Sequence, residues 1–171
     1  MNIDKRFKLE KCVSTDPSRV RMQNAHVTRR HAFATNGHIL AAVPVESQKD
    51  DSEGWLTVDA LKLARKVTPK DSDHISIILN GQQILSDGTT LARPETVEQF
   101  PKVGRLLLQT LRHRTMRIGI NAGYLKDLSM ALGSEEVVLE INKPDTAIAV
   151  RPVHNSDGSV GIIMPIRVNS R

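Results

Sequence analysis

Apolar and polar residues alternate from Phe7 through Leu9 within Arg6–Val13 (RFKLEKCV), and this period of two predicts a strand. The run STDPSR breaks the alternation, because Pro17 has no N–H to give to a ladder. Strand-like segments return at Val20–Met22, Ala25–Thr28, His31–Thr35 and Ile39–Val43, so the chain as far as Asp50 reads as a meander without a helix. Asn36-Gly37, between the last two of these, tolerates positive φ and predicts a hairpin. The polar run VESQKDDSEG, ending at Gly54, is a loop. In LTVDALKLARKV the period changes. Val58, Leu61, Leu63, Ala64 and Val67 form a helical stripe, Asp59, Lys62, Arg65 and Lys66 take the other positions, Thr57 is placed to cap the start and Pro69 to stop the end. Strands follow at HISIIL and QQILSDG, joined by the favourable turn Asn80-Gly81, and then at TTLARP.

The same order returns downstream. MRIGI reads as a strand, and AGYLKDLSMAL as a helix with Tyr124, Leu125, Leu128 and Ala131 on one face and Gly133 as its C-terminal cap. EVVLEI, TAIAVRP and VGIIMPIRV then read as strands. Leu61-Lys62 and Leu125-Lys126 lie 64 residues apart, which sets HISIIL near EVVLEI. Two β-α-β-β-β units thus follow a helixless β unit. Their repetition predicts an α+β architecture in which sheets pack on helices.

Composition narrows the functions this fold can carry. At 171 residues the chain can bury a core without staples, and its one cysteine, Cys12, has no intrachain partner and reads as a small core residue. Without a signal-like or membrane-spanning apolar run, the expected compartment is the cytoplasm and no membrane partner is expected. Five aromatic residues, Phe7, Phe33, Trp55, Phe100 and Tyr124, are too few for a row of base-stacking rings. The net charge is +5, and the span between Glu98 and Asp127 has no acid but contains Lys102, Arg105, Arg112, Arg114 and Arg117. Such a strip either faces phosphates or is a solvated connector. Scattered histidines, a lone cysteine and the absence of GxGxxG and GxxxxGK leave no catalytic residue, metal site or cofactor to name, so the expectation is that this is not an enzyme.

The C-terminal run VGIIMPIRV sets Ile162, Ile163, Met164 and Ile166 around Pro165, a dense apolar patch at a strand edge or end. It reads as a terminal strand completing a sheet or as a groove for a partner peptide. Together with ATNGHILA and EQFPKVGRLL it resembles signatures of the bacterial DNA polymerase III β sliding clamp family, in which a similar hairpin, a Phe-Pro segment and an apolar C-terminus occur in this order. The hairpin departs from the family in Asn36 and Ile39, and the second segment in Lys102-Val103. INAGYLKDLSMALGSEEVVLEI also resembles the family's third-domain helix and the strand after it. The resemblance runs from about Phe7 to Val168. It implies that residues 1–108 correspond to the middle clamp domain, with a helixless first half, and residues 109–171 to the C-terminal half of the third, the whole first domain being missing.

What the resemblance implies for function is a non-catalytic, clamp-like processivity factor of DNA replication or repair. Its peptide pocket would be formed by Thr35, Gly37, His38 and Leu40 of the hairpin, Pro101, Arg105 and Leu106 of the second segment, and Ile162, Ile163, Met164, Pro165 and Arg167 of the C-terminus. The implied partners are the clamp-binding motifs of DNA polymerases or repair proteins. Duplex DNA, held without reading sequence, would meet Lys62, Arg65, Lys66 and Lys126 on the helices, which equally read as solvated faces beside Asp59 and Asp127. Two helices per chain do not surround a duplex, so encirclement would require a closed homo-oligomer. The other reading is a monomeric peptide-binding adaptor or decoy that does not hold DNA.

Overall fold

The computed structural model describes residues 1–94, 99–103, 109–110, 112, 116–154 and 158–168. The chain divides into two units, Met1–Lys102 and Val103–Arg171. Among the described residues a mixed α+β architecture is built on three antiparallel sheets.

In the first unit, β1 (Asn2–Asp4), β2 (Ala25–Val27), β3 (His31–Thr35) and β4 (Leu40–Pro44) precede β5 (Gly54–Leu56), helix α1 (Val58–Val67), β6 (His74–Leu79), β7 (Gln82–Leu85) and β8 (Thr90–Ala92). The strand orders are β1-β6-β7-β8 and β4-β3-β2-β5. Each half therefore lends its opening strand to the other half's sheet: Ile3 of β1 lies opposite Ile75 of β6, and Leu56 of β5 opposite Ala25 of β2. Strand β6 shows why the sequence makes a sheet here. Its alternation turns Ile75, Ile77 and Leu79 into the core and leaves His74, Ser76 and Ile78 outside.

Helix α1 forms as its caps predict. Thr57 accepts the amide of Ala60 at 3.1 Å, and Ala60, Leu61 and Ala64 are fully buried. Thr68 leaves the helix in an extended conformation, ψ 130°, as the following Pro69 demands. The helix is anchored to the sheet by Gln83, a fully buried amide whose oxygen accepts from the Thr57 N–H at 2.7 Å and whose nitrogen donates to the Ala92 carbonyl at 2.9 Å.

Three expectations for the first unit are corrected. Arg6–Val13 is not a strand: the Asp4 carboxylate accepts the Arg6 amide at 2.9 Å and turns the chain, and Leu9–Lys11 is a 3-10 turn that buries Leu9. The carbonyls of Lys5 and Phe7 accept from the Arg65 guanidinium, so helix α1, and not a neighbouring strand, satisfies them. Val20–Met22 is likewise a 3-10 turn, so the region up to Asp50 is not purely a meander. Finally, Gly54, read as the end of a loop, and Leu56, read at the start of the helical run, belong to a strand, Gly54–Leu56.

In the second unit, helix α2 (Ala122–Ala131) is followed by β9 (Val137–Glu140), β10 (Ile148–Pro152) and β11 (Gly161–Ile163), in the sheet order β11-β10-β9. Asn121 caps α2 by accepting the amides of Gly123 and Tyr124, and Gly133 takes the left-handed conformation, φ 66°, that ends it. Ile148, Val150 and Ile163 form the buried centre, with Leu125, Leu128 and Leu139 packed around them. Two predicted strands shrink. MRIGI makes one bridge, from Gly119 to Ile166, and VGIIMPIRV leaves its sheet after Ile163, two residues before the proline that cannot donate.

Candidate functional site

Strand β11 and the residues just past it meet α2 along an apolar groove of about 630 Å³. Ile162, Ile163, Met164, Pro165 and Ile166 form one wall, and Tyr124, Asp127, Leu128 and Ala131 the other. Alternation in β11 buries Ile163 and turns Ile162 outward, while Met164 follows the strand's end, so Ile162 is 68% and Met164 64% exposed. Gly161 permits the close approach of helix and strand, since a Cβ there would lie 2.5 Å from Leu128 Cδ1. Asp127 supplies the groove's charged group.

Ile162, Ile163, Met164 and Pro165 are thus together, as the C-terminal patch predicted. Arg167 lies beside a second, more polar hollow with Arg117 and Asp145. The helix wall was missed. Tyr124, Leu128 and Ala131 form a readable stripe that looks like a core face, yet no residue of α2 is fully buried and Tyr124 is 66% exposed.

The hairpin residues belong to the first unit. Its turn spans residues 36–39, since Thr35 pairs with Leu40. Thr35 is buried, donates its hydroxyl to the Ile39 carbonyl at 2.6 Å and accepts the Gly37 amide at 3.1 Å. Asn36 Oδ1 accepts the amides of His38 and Ile39, and Arg19 donates to the Asn36 carbonyl at 2.6 Å. Gly37, φ 92°, leaves room for that guanidinium. The polar groups of Thr35 and Asn36 therefore hold the turn, and the tip offers His38 and Ile39 to solvent, with Leu40 half-buried beside them.

Phe100, before Pro101, is clasped by two rings of the first unit, stacking on His26 at 5.2 Å and meeting Trp55 edge-on at 5.7 Å. Burial, with a smaller contribution from Arg93 and against the attraction of Glu53, pushes the His26 pKa down and keeps the ring neutral. Pro101 is half-buried; Arg105 and Leu106 lie outside the described residues.

Of the four helix cations, Lys62, Lys66 and Lys126 are exposed. Arg65 is not available to a phosphate: its Nε lies 2.9 Å from Glu10, and its other nitrogens hold the Lys5 and Phe7 carbonyls. Its place in the basic set is therefore corrected to a structural one. Among the described residues, no group of three His, Cys, Asp or Glu side chains is placed to hold a metal, and no helix is long and apolar enough to cross a membrane.

No protein-family model matches the sequence, and neither does any curated protein. The structure is similar to solved bacterial sliding clamps. It matches a DNA polymerase sliding clamp from Pseudomonas aeruginosa with 16% identity and a TM-score of 0.46, covering 98% of this chain and 66% of that one. The beta subunit of DNA polymerase from Streptococcus pyogenes matches with 15% identity and a TM-score of 0.45, over 98% and 66% of the two chains. DNA polymerase III beta from Caulobacter crescentus gives 15% and 0.45, over 98% and 65%. The chain thus spans slightly less than two thirds of each.

Proposed function

We propose that this chain is a non-catalytic, sliding-clamp-like factor of DNA replication or repair whose C-terminal groove receives a short apolar segment of a cytoplasmic partner, a DNA polymerase or a repair protein. The observation that carries this reading is the exposure of Ile162, Met164 and Tyr124 along a single apolar groove. Adaptable Met and branched aliphatic walls suit leucine- or phenylalanine-like anchors, and Asp127 suits a peptide N–H or cation beside them. The order of the hairpin, the Phe-Pro segment and the C-terminal run in the sequence supports the same assignment.

The test is titration of a fluorescent clamp-binding peptide. Wild type binds saturably, and Met164→Ala or Tyr124→Ala weakens binding by roughly tenfold, about 1.4 kcal/mol. No saturation with wild type, or equal binding by all three proteins, rejects the assignment.

Arg65's engagement with Glu10 favours keeping a second reading. It leaves Lys62 and Lys66 as the exposed cations among the helix candidates on α1, with Asp59 on the same helix, a weaker phosphate-facing surface than the sequence suggests. A peptide-binding adaptor that does not hold DNA would need only the groove. Retention on circular duplex DNA separates the two.

A further inference from the structure

The first unit shows how one half is completed by the other. Its opening strand β1 uses both edges. One lies antiparallel on β6 of the other half, with Asn2, Ile3 and Asp4 opposite Ser76, Ile75 and His74. The other meets the chain just past the last strand of its own half, where the Asn2 amide donates to the Glu46 carbonyl at 2.8 Å and the Glu46 amide donates back at 3.0 Å.

The second unit is one such half. Ile118–Ile120 precede α2 as β5 precedes α1, 64 residues earlier. Gly119 bridges Ile166, just past β11, as Asn2 bridges Glu46, the Ile166 amide donating to the Gly119 carbonyl at 2.9 Å. The other pairing does not occur among the described residues. Among the described strands β9 pairs with β10 alone, and Gly119 bridges Ile166 alone. The interior shows the same omission. Ile75 and Ile77 on β6 are fully buried, whereas Val137 and Leu139, their counterparts on β9, are only half-buried. Helix α1 buries three residues fully and α2 none, and Met130 is 70% exposed.

We infer that a second copy of this chain supplies the missing pairing: Arg117–Ile120 of each copy lies antiparallel on β9 of the other across a two-fold axis, and two half-units together make a whole one. An edge that needs a strand and a strand that needs an edge occur in the same unit, so the surface is self-complementary, as a two-fold interface requires. An unrelated peptide would cover β9 and still leave the second edge of Arg117–Ile120 uncovered. Setting inward residues opposite inward ones, as Ile3 faces Ile75, places Ile120 opposite Val137 and Ile118 opposite Leu139. The same register puts Gly119 opposite Val138 and Arg117 opposite Glu140, an exposed cation against an exposed anion, twice by symmetry. Glu140 already takes Arg151 Nε at 3.1 Å on its own sheet and, at 53% side-chain exposure, remains open to a second guanidinium. The pairing itself uses Arg117–Ile120 and β9, none of which lines the groove.

Sedimentation equilibrium of the full chain tests it. Wild type is a dimer that dissociates on dilution, Arg117→Glu is a folded monomer by circular dichroism, and Arg117→Glu combined with Glu140→Arg is again a dimer. In a Cys12→Ser background, a mixture of Arg117→Cys and Glu140→Cys chains forms a disulfide-linked dimer, and neither variant does so alone. A wild-type monomer at every concentration, a larger assembly, a dimer insensitive to Arg117→Glu, or linkage of either cysteine variant to itself overturns the inference. If Arg117→Glu fails to fold, absence of the mixed disulfide alone overturns it.

Discussion

Asp51 and Arg65 show how single charges tie the start of the chain to the rest of the first unit. The Asp51 carboxylate is nearly buried and takes the Met1 ammonium at 2.6 Å, the Gln48 amide at 2.8 Å and the Leu79 amide at 3.1 Å. Burial on its own would raise its pKa, but the hydrogen bonds from the ammonium and the two amides outweigh burial and hold it below 3.8. A carboxylate depressed by folding adds stability that is complete above its unfolded value and is lost as pH falls through its folded one. Asp51→Asn therefore lowers Tm at neutral pH, costing roughly 3 kcal/mol as the buried ammonium loses its anion. It also flattens the fall in stability below about pH 5. Thermal unfolding across pH checks both, and an acid limb as steep as wild type's rejects the assignment. His26 titrates with the opposite charge change but the same direction of effect. Its lowered pKa makes the unfolded chain the better proton acceptor, so stability present above about pH 6.5 declines as pH falls toward its folded value. Replacing His26 with Phe should remove that component of a stability–pH curve, and an unchanged curve between pH 7 and 5 excludes it.

Helices α1 and α2 share their place in the element order and their 64-residue spacing, yet α1 is buried along one face and α2 is not. The contact that seats α2 is Leu128 over Gly161. Gly161→Ala drives a methyl into Leu128, so the helix shifts or the leucine rotates into the groove, at a cost of about 1–3 kcal/mol. Lower Tm with weaker peptide binding is the expected result; unchanged Tm and affinity would show that the contact yields freely. Both helices and the strands β3, β4, β6 and β7 were legible because each carries its own period and punctuation, such as Thr57, Pro69 and Asn80-Gly81. Strands β1 and β5 were not, because three residues are too few to show alternation and their pairing depends on partners far along the chain, Ser76 for Asn2 and Ala25 for Leu56. Arg6–Val13 alternates yet is no strand, because its carbonyls are satisfied by Arg65 on a distant helix. The candidate groove was half legible. Ile162–Pro165 stand out as an apolar run, while the α2 wall has the spacing of a core stripe, yet Tyr124 on it is 66% exposed.

At the scale of the whole molecule, the first unit closes by exchanging strands between its halves, while the second presents half of the same arrangement. Any hold on duplex DNA therefore depends on how many copies act together, because each chain brings only Lys62, Lys66 and Lys126 as exposed helix cations from the candidate set. Contacts of lysine with phosphate release counterions, so binding falls with salt with a slope of about 0.9 per phosphate neutralised. If Lys62 and Lys66 both meet the backbone, changing them to Ala lowers that slope by about 1.8 per bound copy and weakens binding equally on unrelated sequences. Changing Arg65 to Ala acts through Glu10 and the Lys5–Phe7 segment instead, so it lowers Tm and leaves the salt slope where it was. Fluorescence anisotropy across a salt series, with Tm measured on the same samples, distinguishes the two behaviours. A slope insensitive to both lysines would remove α1 from any surface that meets DNA and leave Lys126 as the remaining exposed cation of the candidate set.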